Sequence, residues 1–179
     1  MKKDIDELTK KCINCQKSKV VRHVKTQPCS IPIPNERFDT VNMDITDLPE
    51  DDGYSHLLTV PDRYTRWLTA IPLKSTKTQE VIGNFEMFYV SNYDIPRVII
   101  TDKGSNFMSH EFQEFCRFHS ITLKNTSAYN PKANCMDERQ HEILKEALRA
   151  CDQKNWTKHL PYVLLGLRNT VKKPNNLTP

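Results

Sequence analysis

The chain has 179 residues, 37% of them hydrophobic, enough for one domain with a real core plus a small appendage. Its apolar runs are too short to cross a bilayer, and no apolar stretch follows Met1-Lys2-Lys3-Asp4-Ile5-Asp6, so neither a membrane span nor a signal peptide is expected. The net charge of +4 is uneven: residues 1–30 hold eight Lys/Arg against three Asp/Glu, and the rest is close to neutral. A basic arm of this kind suits a phosphate backbone or a solvated helix.

Residues 1–27 read as a short helix, a Cys-x-x-Cys turn at Cys12 and Cys15, and a basic tail. Six cysteines in a chain without secretory features suggest thiols or metal ligands rather than a disulfide framework. Residues 28–35 form an extended linker, with Pro28, Pro32 and Pro34 opposing helix. The main domain spans 36–179. Phe38 to Ile45 alternates as a strand does. His56–Val60 and Trp67–Leu73 follow as two more strands around the polar turn at Asp62-Arg63, an antiparallel meander. Thr78 to Tyr89 places Val81, Phe85 and Phe88 at helical spacing. Arg97–Thr101 is a short buried strand. Ser109 caps a helix whose apolar face is Phe112, Phe115 and Cys116. Ile121–Leu123 is a fifth strand. Asn134–Cys151 is a long helix with Ile143, Leu144, Ala147, Leu148 and Cys151 facing inward, and a last helix runs from Trp156 to Arg168. The order βββαβαβαα implies an α/β fold: a mixed five-stranded sheet flanked by helices, with a short N-terminal helical appendage.

Three acids sit where a carboxylate is a poor choice for packing. Asp44 interrupts the first strand, Asp102 ends the run Val98-Ile99-Ile100-Thr101, and Glu138 lies early in the long helix, with thirty-five residues between Asp102 and Glu138. Two strand carboxylates and one helix carboxylate can converge on divalent metal. Phosphodiester chemistry uses such a site, typically with two Mg²⁺ ions about 3.5–4 Å apart. Each acid also has an ordinary reading: a solvated strand face for Asp44, a turn with Gly104 for Asp102, a macrodipole partner for Glu138. On the long helix His141, Lys145 and Arg149 follow Glu138 at steps of three and four, a stripe suited to a DNA backbone or to solvent. Tyr129, before that helix, can stack on a base or pack its loop.

The stretches Val41-Asn42-Met43-Asp44, Asp62-Arg63-Tyr64-Thr65-Arg66-Trp67, Ile100-Thr101-Asp102-Lys103-Gly104-Ser105-Asn106-Phe107 and Tyr129-Asn130-Pro131-Lys132-Ala133-Asn134-Cys135-Met136-Asp137-Glu138-Arg139 occur in that order. Together they resemble the catalytic core of retroviral and LTR-retrotransposon integrases, closest to the gypsy class. The resemblance covers about residues 36–179. It implies an RNase H-like fold, with Asp44, Asp102 and Glu138 as catalytic metal ligands for Mg²⁺ or Mn²⁺. It also implies 3′-end processing of element DNA and strand transfer into target DNA, action in the nucleus, and a homo-oligomer. Lys145 takes a position that the family uses for DNA; Arg149, His141, Tyr129 and Asn134 join it as candidate nucleic-acid contacts, although His141, usual at its position, suits a packing or hydrogen-bonding role equally well. Asp62 falls in a familiar block without belonging to the acidic triad.

The chain departs from the family pattern in places. Asn130-Pro131-Lys132 stands where His-Pro-Gln is usual, and Asn134-Cys135 where Asn-Gly is usual; losing that Gly removes backbone freedom. Glu142 stands where a basic residue is frequent. Glu142, Cys135 and a half-present zinc site favour the rival reading, a non-catalytic integrase-derived nucleic-acid-binding or interaction module, and the intact triad opposes it. Cys12 and Cys15 resemble the second half of the His-His-Cys-Cys zinc module of this family, so residues 1–27 are expected to be a truncated module, with Zn²⁺ held only if upstream histidines are present. The C-terminus reads as the start of a segment leading to a further domain, so the core is expected to be C-terminally truncated.

Overall fold

The computed structural model describes residues 10–12, 34–125, 131–151 and 155–170; for 131–139 only the helical backbone is described. Five strands form one mixed sheet: β1 (Thr40–Asp51), β2 (Tyr54–Pro61), β3 (Leu68–Leu73), β4 (Val98–Thr101) and β5 (Thr122–Asn125), in the order β3-β2-β1-β4-β5. β1, β2 and β3 are antiparallel neighbours, whereas β4 runs parallel to β1 and β5 parallel to β4. The helices are α1 (Thr78–Phe85), α2 (Ser105–Met108), α3 (His110–Phe118), α4 (Pro131–Ala150) and α5 (Trp156–Arg168). α1 continues through a π-helical turn, Glu86–Val90, and a last turn, Ser91–Tyr93.

Strand alternation sorts the side chains into two cores. Val41 and Met43 of β1, Leu58 and Val60 of β2, and Ile71 and Leu73 of β3 pack with Val81, Phe85, Tyr89, Phe107, Phe112 and Cys116 of the first helical layer. On the other face Leu57 of β2 and Leu68 of β3 meet Leu144, Leu148, Trp156, Leu160 and Leu164 from α4 and α5. The same alternation puts Asn42 and Asp44 of β1, and Thr59 of β2, on the face that α4 covers. The meander, the two parallel additions and the helices on both faces agree with the expected mixed sheet.

Several details differ from the sequence expectation. β1 is longer, running to Asp51, because β2 returns against it through a tip at Asp52 and Gly53, both at positive φ (53° and 79°). The pairing shifts between Asp47 and Asp51, across Pro49, which has no amide to donate to a ladder. α2 was not expected; it is a single turn after Gly104. Phe88 is half-exposed and Tyr89 is buried in its place, because the π turn widens the helix there. Ile143 is 40% exposed, so α4 turns Leu144 and Leu148 inward instead. Ser109 does cap α3, its Oγ accepting the Phe112 amide at 3.2 Å.

Two buried acids hold connections together. Asp62, 1% exposed, closes the β2–β3 turn: its Oδ2 accepts the Thr65 amide (2.8 Å) and hydroxyl (2.5 Å), and its Oδ1 accepts the Phe38 amide (3.0 Å). Asp51 caps α5 from a strand 106 residues away, its Oδ2 accepting from the Thr157 amide (2.8 Å) and hydroxyl (2.6 Å). The α5 N-cap residue, Asn155, makes no side-chain cap bond, so Asp51 serves the positive end of that helix. Arg168, at the far end of α5, lies 4.3 Å over the Trp67 ring and donates twice to the Leu68 carbonyl (3.1 and 2.9 Å). Burial pushes its guanidinium pKa below the usual value.

Candidate active site

The parallel pairing of β1 and β4 sets the first two acids side by side. Met43 pairs with Thr101, and Asp44 and Asp102 are the next residue of each chain. Neighbouring strands lie roughly 4.8 Å apart, so the two backbones bring these acids within reach of a shared ion. Asp44 is half-buried on a strand that continues past it; Asp102 is exposed where β4 ends.

Each carboxylate has one oxygen tied down. Asp44 Oδ2 meets His141 Nδ1 of α4 at 2.8 Å. Asp102 Oδ1 accepts the Gly104 amide at 2.9 Å. The second oxygen of each has no hydrogen-bond partner among the described residues. Gly104 is required by close approach rather than by backbone angle. Its φ and ψ of −56° and 143° suit any residue, but a Cβ there would stand 2.9 Å from Asp102 Oδ1.

α4 crosses the open face of the sheet and is pinned there by two consecutive residues. Gln140 Nε2 donates to the Arg66 carbonyl at 3.1 Å, and His141 touches both Asp44 and Thr59. Glu138 lies on the same helix one turn before His141, so the backbone sets it on the helical face that meets Asp44. Its carboxylate lies outside the described side chains. Among the described residues no group of three His, Cys, Asp or Glu is assembled for a metal ion.

The donor set nevertheless fits a hard divalent cation. Asp44 and Asp102 supply anionic oxygens, each held by a hydrogen bond at one oxygen and open at the other, and Mg²⁺ or Mn²⁺ takes such ligands while keeping several waters. The His141 contact holds one oxygen of Asp44, an arrangement that would also orient the carboxylate for a cation.

The other predicted residues are placed as follows. His141 is turned into the protein, 8% exposed, with both ring nitrogens engaged. Of the roles open to it in the sequence, the structure shows the hydrogen-bonding one: the imidazole is long enough to reach the sheet, and a buried polar ring must find partners. Lys145, half-buried, lines a narrow cleft with Thr46 and His141, while Arg149 and Glu142 are exposed. Tyr129, Cys15 and the side chain of Asn134 lie outside the described residues; Cys12 is half-buried. Sequence reasoning missed Thr59. The turn of Asp102 with Gly104 is the one the sequence suggests, closed by the Gly104 amide on Asp102 Oδ1. A buried polar residue in an apolar strand run was the available signal for Thr59.

Residues 34–131 match the family model described as integrase core domain. The Tf2-3 transposon polyprotein of Schizosaccharomyces pombe is 26% identical over 185 residues, covering all of this chain and 14% of the polyprotein. The chain therefore spans a small part of the length of the curated relatives it matches. A chain of the simian T-cell lymphotropic virus intasome, solved in complex with PP2A regulatory subunit B56 gamma, superposes with a TM-score of 0.73 at 21% identity, covering 99% of this chain and 65% of that one. The HTLV-2 integrase catalytic core domain, solved with magnesium in a trimeric form, gives 0.64 at 24% identity, over 78% of this chain and 91% of that one. The catalytic core of BIV integrase gives 0.64 at 19%, over 79% and 90%. At these identities the likeness establishes the fold, which is RNase H-like. The family match extends over more than half of the 179 residues, and the chain belongs to the integrase core domain family.

Proposed function

We propose that this chain is the catalytic part of a DNA integrase, a metal-dependent polynucleotidyl transferase that processes the 3′ ends of element DNA and transfers them into target DNA. The observation that carries this reading is the pair Asp44 and Asp102, adjacent across parallel strands and each with one oxygen tethered and one open. The family match and the likeness to the Tf2 polyproteins and to the magnesium-bound HTLV-2 core support it.

In this reading Asp44, Asp102 and Glu138 hold Mg²⁺ or Mn²⁺. A divalent ion held by these carboxylates would supply Lewis-acid polarisation of the phosphodiester and a lowered pKa for the attacking oxygen. The protein's own part is to fix the two aspartates against each other through the β1–β4 pairing and to bring the Glu138 turn over them on α4. Lys145 and Arg149 on the same helix hold the DNA backbone by charge. DNA ends and target DNA are the partners, the working form is a homo-oligomer on DNA, and the place of action is the nucleus. Zn²⁺ on Cys12 and Cys15 belongs to this reading only with histidines supplied from upstream.

The test is a cutting and joining assay on a radiolabelled DNA end with Mn²⁺. Wild type should nick and join, and Asp102→Asn should do neither while keeping its melting temperature. Equal activity in Asp102→Asn would remove the assignment. DNA binding without nicking in wild type would favour the non-catalytic module.

A further inference from the structure

Asp44, His141 and Thr59 form a closed ring of contacts. His141 Nδ1 stands 2.8 Å from Asp44 Oδ2, His141 Nε2 stands 2.8 Å from Thr59 Oγ1, and Thr59 Oγ1 donates to the Asp44 main-chain carbonyl at 3.1 Å. Thr59 is the cross-strand partner of Asp44 in the β1–β2 register. The three residues come from β1, β2 and α4, and 82 residues separate Thr59 from His141.

The order Thr–His–Asp has the connectivity of a hydrolase triad. Here it is not one. Thr59 is 1% exposed, so no substrate reaches its hydroxyl, while Asp44, the residue a triad would bury, is half-exposed. The exposure gradient runs the other way: a buried hydroxyl supports a buried imidazole, which supports a carboxylate open to solvent. Leu57, Leu144 and Leu148 line the cleft beside the imidazole together with Thr46 and Lys145, and the ring itself is buried, where a hydrogen bond is strong and directional.

We infer that Thr59 and His141 are positioning residues that fix the rotamer of Asp44. Because a carboxylate only accepts, His141 Nδ1 carries a proton. That bond occupies Oδ2 and leaves Oδ1 as the oxygen presented to a cation. The Thr59 hydroxyl has one proton: with it on the Asp44 carbonyl, Oγ1 accepts from Nε2–H, and with it on Nε2, the carbonyl is only a close neighbour; in either arrangement Oγ1 sets the ring orientation from behind. His141 also fixes the turn of α4 that carries Glu138, so one side chain registers the helix carboxylate against the strand carboxylate. The inference rests on the proposed metal role of Asp44, and its test separates the two.

The full chain is compared as wild type, Thr59→Val, His141→Leu and His141→Asn, by Mn²⁺ titration and by ¹⁵N NMR of the imidazoles. Thr59→Val keeps shape and removes the hydroxyl. His141→Asn keeps a donor near the Nδ1 position but cannot reach Thr59. Mn²⁺ affinity should fall about 10- to 100-fold in His141→Leu, recover most of that in His141→Asn, and fall less in Thr59→Val. The wild-type His141 signal should show a protonated Nδ1, and Thr59→Val should shift its Nε2 resonance. Unchanged Mn²⁺ affinity in both His141→Leu and Thr59→Val, or Asn no better than Leu, would overturn the inference. Should His141→Leu fail to fold, Thr59→Val and the NMR signature decide. If wild type binds no Mn²⁺ at all, the metal reading falls, and an unprotonated Nδ1 would bring down the clamp separately.

Discussion

Gly104→Ala isolates the tether on Asp102. Gly104 has ordinary backbone angles, so alanine imposes no conformational strain. The added Cβ would lie 2.9 Å from Asp102 Oδ1 and 3.5 Å from Phe107 Cδ2, and only the first is too close. Asp102 is exposed, so its carboxylate can swing away at little cost. Alanine also lowers the entropy of the unfolded chain, a gain of about 0.4–1 kcal/mol, so the net change in stability should be near zero. Swinging away, however, breaks the 2.9 Å bond from the Gly104 amide and misplaces the open oxygen. Loss of such outer-shell support costs about 10–100-fold in metal affinity, which is about 1.4–2.7 kcal/mol. Mn²⁺ titration calorimetry and a thermal melt on the same samples read the two quantities separately. The expected result is an unchanged melting temperature with weakened Mn²⁺ binding. Affinity within twofold of wild type would refute the reasoning, as would a loss of stability as large as the loss of affinity.

Three further outcomes follow from the packing. Asp51→Ala should destabilise the fold by about 2 kcal/mol, combining a lost N-cap with a lost charge at the α5 N-terminus. The exposed Glu50→Ala serves as its control in urea unfolding, and equal effects would refute the tertiary cap. Arg168→Lys should unfold at lower urea than wild type, because lysine cannot both stack on Trp67 and donate twice to Leu68; indistinguishable midpoints would count against the stacking. Asp39 takes Arg97 Nε at 2.8 Å and Nη2 at 3.2 Å, and this hydrogen-bonded guanidinium holds its carboxyl below the usual 3.8. A carboxyl lowered in the folded state stabilises above its unfolded value and stops doing so as pH falls through the folded one. The stability gap between wild type and Arg97→Gln should therefore be constant near neutrality and close as pH drops below 3.8. A gap independent of pH would show that Asp39 does not respond to Arg97.

Much of the architecture was legible because local rules governed it. Alternation in β1, the apolar run of β2, the Ser109 cap and the helical spacing of Leu144 and Leu148 gave the elements, and their order implied the mixed sheet. Asp44, Asp102 and Glu138 stood out as acids at apolar or helix-start positions with flanking blocks of a familiar pattern. Other features depended on residues distant in the chain. The π turn after α1 moved Tyr89 into the core and Phe88 out, a change that spacing alone does not register. His141 reads on the helix as one member of a basic stripe; only the approach of α4 to β1 and β2 turns it inward onto Asp44 and Thr59. Asp62 reads as a turn acid and became a buried anchor once Phe38 was brought to it, and Asp51, to which the sequence assigns no role, caps α5 because Thr157 comes to it. The sequence by itself determined which residues carry charge, which faces are apolar and in what order the elements come, because those depend on composition and period. Tertiary structure alone decided which oxygen of Asp44 is tethered and which is open, because that tether comes from His141, nearly a hundred residues away, whereas Asp102 is tied by Gly104 within its own turn.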